Sequence, residues 1–406
     1  MAKRASGSGA SEGASKGAPK AGAKRVSRGR GGDAEQELAP IVVPRPRPLD
    51  GLIGQERAVS HLGAAFSTGR LHHAWIFAGP KGVGKFTAAL GFAAAALDPT
   101  TRVGRDGVPR PDPESRVQRL LRAGTHPDFH VIVKELAKFS EDREVRERKQ
   151  TTIPTGVTKE HLIDPIEISA TLHEGGLASK VFIVDEAELM DHRGQNQLLK
   201  TLEEPPEGSL LILVTSVEER LLPTVRSRCQ RVGFGPLSDE ALSAWMRGSE
   251  GFASASAGVD QRTMEWLLRV ADGSPGVLMG GLACGMGEWG PRILPMLDRV
   301  MSGEFVVELG PAMASIADEI AAAQVAANPN ASKEQANKEA GRLVLGVAAE
   351  RLRSRVRSVE GDAQRLERVC DAVDAIREAD RLMDANVNLV FLMESTVVGI
   401  TRAMSS

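Results

Sequence analysis

One glycine-rich segment constrains the fold of this chain more than any other feature. It reads GPKGVGKFT over residues 79–87, follows the apolar run 74–78 and precedes an alanine-rich segment at 88–97. This order predicts a strand, a tight loop and a helix, which is the context that a phosphate-binding P-loop requires. Glycines let successive backbone N–H groups point at a phosphate, and the helix N-terminus adds positive potential. A purely structural glycine-rich turn is the alternative interpretation.

The P-loop pattern departs from a hydrolysing site at one position. The residue after Lys85 should carry a hydroxyl that holds Mg²⁺, and here it is Phe86. Thr87 comes one residue later and faces about 100° away on a helix. We therefore expect Mg²⁺ to be poorly held and hydrolysis to be lost, with ATP as a candidate ligand. The nucleotide-binding residues predicted from this segment are Gly79, Gly82, Gly84, Lys85 and Thr87.

Two further apolar runs, at 181–184 and 210–214, are typical of strands that are buried on both faces of a parallel sheet. The first ends in Asp185 and Glu186, and the second is followed by Thr215. At such strand ends an Asp can hold Mg²⁺, a Glu can orient a water and a Thr can hydrogen-bond a phosphate. The structural alternatives are an acidic pair at a helix N-terminus and a threonine with no functional role.

A third candidate site residue is Arg228, within the segment LPTVRSRC at 222–229. An arginine on a loop at a sheet's edge can reach the nucleotide of a neighbouring subunit. There its planar, permanently charged guanidinium stabilises the transferring phosphate. A surface salt bridge is the alternative interpretation of the same residue.

Composition argues against several classes of function. The 406 residues carry 51 Lys and Arg against 53 Asp and Glu, so the overall charge does not favour nucleic acid. The three cysteines are far apart and show no zinc or redox spacing, which predicts no metal site and suits a reducing cytosol. No apolar run approaches the ~20 residues of a membrane span. We expect a cytoplasmic protein without membrane contact.

The chain is long enough for two or three domains. Its first part is rich in Gly, Ser, Ala, Lys and Arg, which predicts a disordered basic tail, either solvated or a weak nucleic-acid tether. Alternating strands and helices then predict an α/β domain with a parallel sheet, followed by helical segments. The predicted boundaries are 1–46 for the tail, 47–235 for the α/β domain, 236–295 for a small helical domain and 296–406 for a second helical domain. Within the α/β domain, charged insertions at about 98–125 and 134–160 are predicted to be irregular.

Several short strings, taken in order, resemble the AAA+ clamp-loader family, and within it the delta-prime type of subunit of bacterial DNA polymerase III. The combination of LLKTLEEPP with SRC downstream is highly specific, and the resemblance covers residues from about 50 to 400. The strings are LHHA at 71–74, HPD at 126–128, VDEAE at 184–188, LLKTLEEPP at 198–206, SRC at 227–229, GSPG at 273–276 and NVN at 386–388.

The resemblance implies a RecA-like α/β domain, a helical lid and a helical collar that assembles subunits into a ring. It also implies a hetero-pentamer with gamma/tau and delta subunits, which uses ATP to place the sliding clamp on primer–template DNA. The delta-prime type is the stationary member, presents the arginine matched here by Arg228 to ATP in the adjacent subunit, and often has a degenerate site of its own. Such a chain has no independent activity but serves a DNA-directed DNA polymerase holoenzyme.

The chain departs from the family at three places. Phe86 replaces the hydroxyl residue, and Val277 follows GSPG where active relatives often carry a lid arginine nearby. The insertion at 98–125 contains no cysteine, whereas family members commonly carry a four-cysteine zinc module there. Two alternatives stay open: an active ATPase subunit of the gamma/tau type, and an unrelated AAA+ enzyme such as a helicase loader or remodelling ATPase.

Overall fold

The computed structural model describes residues 41–405, except 141, 148–150, 173–174, 328–331, 357–362, 384 and 386. The predicted basic tail lies outside these ranges apart from residues 41–46. Asn386 of the NVN string also lies outside them.

The α/β module is built on five parallel strands in the order β4-β5-β6-β1-β7. This confirms the predicted parallel α/β fold. The edge strand β7 was not predicted, because only one of its four side chains, that of Val232, is buried and the sequence shows no apolar run. The strands are β1 Ala74–Ala78, β2 Arg102–Val103, β3 Pro109–Arg110, β4 Phe129–Ile132, β5 Lys180–Val184, β6 Ser209–Thr215 and β7 Gln230–Gly233.

Helices cover both faces of this sheet. Alternate side chains of a strand point to opposite faces, so Trp75 and Phe77 pack into one core and Ile76 into the other. The α-helices of this module are α1 Glu56–Ser67, α2 Lys85–Leu97, α3 Arg116–Ala123, α4 Arg143–Glu147, α5 Thr155–Thr158, α6 Asp164–Glu167, α7 His192–Glu203 and α8 Pro223–Arg226. Short 3-10 helices span Leu49–Gly51, Lys134–Phe139, Ala187–Leu189 and Glu218–Arg220, and Lys159–Ile163 is a π-helix.

The insertion at 98–125 is regular, contrary to the prediction. It contains the antiparallel hairpin β2-β3 and helix α3. Its organising group is Asp98, which is only 2% exposed. The Asp98 carboxylate accepts hydrogen bonds from Thr100 Oγ1 at 2.6 Å, Ser115 Oγ at 2.5 Å and Gln118 Nε2 at 3.0 Å. A buried carboxylate thus holds together a segment that contains no cysteine.

The insertion at 134–160 is likewise more regular than predicted. Its described residues form a 3-10 helix and two short α-helices. Three apolar side chains of this charged segment, those of Val145, Ile153 and Val157, are buried against the sheet. The sequence did not predict these buried side chains, because charges of both signs surround them and their spacing along the chain is not regular.

The C-terminal helices share one hydrophobic core that extends from Phe252 to Ala403. Helix α13 runs through the predicted boundary at 295/296, so that boundary is wrong for the hydrophobic core. Ser238 caps α9, its Oγ accepting a hydrogen bond from Ala241 N. The helices are α9 Asp239–Gly248, α10 Glu250–Ala255, α11 Gln261–Ala271, α12 Pro275–Ala283, α13 Met286–Val300, α14 Leu309–Ala327, α15 Lys333–Val356, α16 Ala363–Met383 and α17 Leu389–Ser405. In the described ranges no helix is both long and apolar enough to cross a bilayer.

Candidate functional site

The glycine-rich loop between β1 and α2 has the backbone conformation that its sequence predicts. Gly82 and Gly84 have φ angles of +80° and +100°, which favour glycine, and Gly84 is the N-cap of α2. At Gly82 a Cβ atom would come within 2.5 Å of Ser274 Oγ. The loop therefore depends on glycine both for its turn and for the close approach of another segment.

Lys85 begins α2 and points back into the loop. Its Nζ donates to Gly79 O at 2.8 Å, Pro80 O at 2.6 Å and Ser216 Oγ at 3.1 Å. Burial lowers the pKa of Lys85 to about 8, although the carboxylates of Glu188 and Asp185 oppose the shift. The ammonium group is thus bound by the loop's own carbonyl oxygens and by the end of β6.

The two residues after Lys85 leave the loop without a nearby hydroxyl from α2. Phe86 packs against the core cluster beneath the loop, and Thr87 is exposed to solvent. The structure therefore brings Gly79 and Lys85 together but leaves Thr87 on the solvent side of the helix.

The acidic pair after β5 lies on the same side of the sheet as the loop. Burial and, to a smaller extent, the nearby charges of Glu186 and Glu188 together raise the pKa of Asp185 to about 7. Glu186 adopts a left-handed conformation with φ of 48°, which is uncommon for a residue with a side chain. Its Oε2 lies 2.7 Å from Lys134 Nζ, directly after the 129–133 segment that contains β4. The carboxylate predicted to orient a water is therefore held by a lysine.

The end of β6 contributes a different residue from the one predicted. Thr215 is buried, and its Oγ1 accepts from Val217 N at 3.1 Å. The next residue, Ser216, accepts from Lys85 Nζ instead, and its backbone N–H donates to Glu188 Oε1 at 3.1 Å. Sequence reasoning missed Ser216, Glu188 and Lys134. For Ser216 the signal was available, since it is the second polar residue after the apolar run at 210–214.

The GSPG string at 273–276 packs directly on the P-loop. Ser274 Oγ donates to Lys81 O at 2.8 Å, and Gly276 N donates to Gly82 O at 2.9 Å. A Cβ atom on Gly276 would lie 2.6 Å from Gly82 Cα, so only glycine allows this approach. The start of α12 therefore covers one side of the loop.

Arg228 lies at the opposite edge of the sheet from the P-loop. Strand β7 runs parallel to β1, with Gln230 opposite Trp75 and Gly233 opposite Ala78. The P-loop leaves β1 at its carboxyl end, whereas Arg228 precedes the amino end of β7. At ~3.3 Å per residue the two groups are separated by roughly 15 Å along the strands. Arg228 therefore cannot serve the P-loop of its own chain.

The Arg228 side chain is held at the surface by two hydrogen bonds. Its Nη1 donates to Thr224 O at 2.9 Å and its Nη2 to Glu203 Oε1 at 2.7 Å, with 35% of the side chain exposed. The adjacent Cys229 faces inward, and burial raises the pKa of its thiol to about 12. Within the SRC string, Arg228 is therefore partly exposed at the surface and Cys229 is buried.

Gln195 of α7 connects the segment after β5 to the segment after β6. Its side chain is 2% exposed; Nε2 donates to Met190 O and Arg220 O, and Oε1 accepts from Leu222 N. Met190 follows the acidic pair of β5, and Leu222 begins the segment that carries Arg228. A single buried amide therefore ties the loop after β5 to the arginine segment.

Comparisons with known proteins agree with these features. Residues 54–238 match the sequence model of a family described as DNA polymerase III, delta subunit. The chain is 32% identical over 204 residues to the delta-prime subunit of DNA polymerase III from Pseudomonas aeruginosa, covering 50% of this chain and 53% of that protein. It is 30% identical over 203 residues to the gamma subunit from Buchnera aphidicola, covering 50% and 49%.

Among solved structures, a gamma subunit-related protein from Thermotoga maritima matches 86% of this chain and 99% of its own, with 15% identity and a TM-score of 0.38. The chain spans about half or less of the length of the curated relatives that it matches. Those relatives are named delta-prime, gamma and tau subunits of DNA polymerase III. By these matches the α/β module of the chain is similar to clamp-loader subunits of DNA polymerase III.

Proposed function

We propose that this chain is the delta-prime type of clamp-loader subunit, which lends Arg228 to ATP bound by a neighbouring subunit. The observation that carries this proposal is the position of Arg228. It is presented at the surface, at the sheet edge opposite its own P-loop. A charged group so placed can complete a nucleotide site only across a boundary between subunits.

The chemistry of the guanidinium suits that task. A guanidinium has five N–H donors, and the bonds to Thr224 and Glu203 use two of them. The remaining donors can bind phosphate oxygens as negative charge develops during phosphoryl transfer. Glu203 and Thr224 restrain the fork, so that little further ordering is needed when a neighbour docks.

The chain's own nucleotide site lacks three things that hydrolysis requires. Phe86 supplies no oxygen for Mg²⁺, Glu186 is held by Lys134, and the Lys85 ammonium is bound by its own loop. A Mg²⁺ ion therefore fits the residues present poorly. The loop keeps its glycine conformation, so that ATP remains the candidate ligand of a site without turnover.

The assembly implied by this proposal is a ring with gamma/tau and delta subunits that acts on the sliding clamp and primed DNA. The second candidate is an active ATPase subunit of the gamma/tau type. It is favoured by relatives that are named gamma and match as well as those named delta-prime. The two candidates differ in where ATP is hydrolysed.

The deciding experiment replaces Arg228→Ala in a loader reconstituted with its gamma/tau and delta subunits. We expect clamp-stimulated ATP turnover to fall by about 10³-fold or more, as for other arginines supplied in trans. The matched control is Arg231→Ala, because Arg231 also pairs with an acidic side chain near this edge and is 60% exposed.

The result that would contradict the proposal is unchanged turnover in the Arg228→Ala loader. Steady ATP hydrolysis by the isolated chain, abolished by Lys85→Ala, would favour the gamma/tau type instead. Both measurements use the full chain, and circular dichroism checks that each variant is folded.

A further inference from the structure

A carboxylate of the C-terminal helices lies against the rim of the P-loop. Glu339, on α15, places its Oε1 3.2 Å from Lys134 Nζ and 3.9 Å from Lys81 Nζ. The same oxygen accepts a hydrogen bond from Gln335 Nε2 at 3.0 Å. Two lysines of the α/β module therefore converge on one carboxylate that comes from more than 200 residues away in the chain.

Both sides of this contact are charged. Burial alone would lower the pKa of Lys134, but Glu186 and Glu339 outweigh it and the pKa is raised. Burial alone would raise the pKa of Glu339, but Lys134 and Lys81 outweigh it and the pKa is lowered. The Lys134 side chain is only 11% exposed, so solvent screens these interactions less than it would on an open surface.

The position of the contact gives it a consequence for ligand binding. Lys81 is part of the P-loop itself, and Lys134 holds Glu186 at the end of the neighbouring strand. These are cations that line the approach to the place where a P-loop receives phosphate. While the Glu339 carboxylate contacts Lys81 and Lys134, its negative charge lies beside the position where the P-loop would receive phosphate. That charge repels the negative charge of a phosphate.

We propose that Glu339 is a built-in competitor of polyphosphate: the triphosphate of a nucleotide, or inorganic triphosphate, binds Lys81 and Lys134 only when α15 moves its carboxylate away. The contact of Glu339 with Lys81 and Lys134 and the binding of polyphosphate to these lysines are then mutually exclusive. This links the helical region to the nucleotide site within a single chain. The proposal does not depend on Arg228 and stands or falls separately from the proposed function.

The test measures binding of inorganic triphosphate and of ATP to the full chain by isothermal titration calorimetry, without Mg²⁺. We expect Glu339→Gln, which removes the charge and keeps the shape, to bind both ligands at least tenfold more tightly than the unmodified chain. The matched control is Glu334→Gln, on the same helix, which pairs with Lys338 rather than with the P-loop. Its affinity should lie within twofold of the unmodified chain. Comparison of the affinities for ATP and for inorganic triphosphate shows whether the triphosphate group is sufficient for binding without the nucleoside.

A second measurement uses the unmodified chain, so that it does not depend on the folding of a variant. Hydrogen–deuterium exchange should rise in the first turns of α15 and fall in residues 79–87 when triphosphate is added at saturating concentration. Equal affinities of the Glu339→Gln and unmodified chains, including no detectable binding by either, would overturn the proposal. So would triphosphate binding that leaves exchange in α15 unchanged.

Discussion

At the scale of single residues, the charged side chains of the candidate site form hydrogen bonds or ion pairs with other groups of the protein. Lys85 is bound by its own loop, Glu186 by Lys134, and Arg228 by Glu203 and Thr224. Asp185 differs from them, because burial disfavours its ionised form. Its titration is therefore the most direct report on the electrostatics of the site.

Asp185→Asn should change how stability depends on pH. The folded-state pKa of about 7 lies above the ordinary value of 3.8, so the folded protein binds more protons than the unfolded chain between these values. Stability from this group is full at low pH and is lost as pH rises towards 7. We expect the stability of the variant relative to the unmodified chain to rise between pH 4.5 and pH 7.5, by on the order of 1–3 kcal/mol. Urea unfolding at several pH values measures this; a constant difference across the range would contradict it.

At the scale of elements, small polar groups organise segments that lack an apolar pattern. Asp98 gathers the hairpin β2-β3 and the start of α3, and Gln195 joins the loop after β5 to the arginine segment. Each is a buried group whose partners come from separate turns. A buried polar group with its partners satisfied specifies one arrangement, because any other leaves donors without acceptors.

Asp98→Ala should loosen the segment 98–123 without unfolding the sheet. The substitution leaves Thr100, Ser115 and Gln118 with half-buried donors that lack this acceptor, at a cost of about 2–4 kcal/mol. Limited proteolysis and hydrogen exchange should show selective opening of this segment. Asp112→Ala is the control, since Asp112 is exposed and caps only a local turn. Equal protection in both variants would show that Asp98 does not hold the insertion.

At the scale of the whole molecule, the C-terminal helices behave as one body. Their core is continuous from Phe252 to Ala403, and α13 crosses the predicted boundary at 295/296. We therefore predict that the helices on the two sides of residue 295 unfold together. Glu339 then connects that body to the P-loop of the α/β module.

Leu297→Ala should destabilise all of the C-terminal helices together. Leu297 is fully buried in α13, and such truncations cost about 2–5 kcal/mol through lost burial and a residual cavity. We expect exchange to increase both in α11 and in α17, while strands β1 and β6 stay protected. Opening confined to one side of residue 295 would mean that the predicted boundary separates two folding units after all.

Sequence patterns predicted the central elements of the α/β module well. Continuous apolar runs identify β1, β5 and β6, and the glycines with Lys85 identify the loop. The edge strand β7 and the hairpin β2-β3 escaped prediction because exposed strands need few apolar residues. Lys134 and Ser216 escaped because a polar residue gains its role from a partner far away in the chain.

The sequence alone determined that this chain folds around a parallel sheet with a glycine-rich loop after its β1 strand, because apolar periodicity and glycine conformations are local properties. Only the tertiary structure decided which charged side chains contact one another. That Arg228 faces away from its own loop follows from the pairing of β7 with β1, and that Glu339 reaches Lys81 follows from the docking of α15. Such encounters depend on long-range packing, which no local pattern of residues encodes.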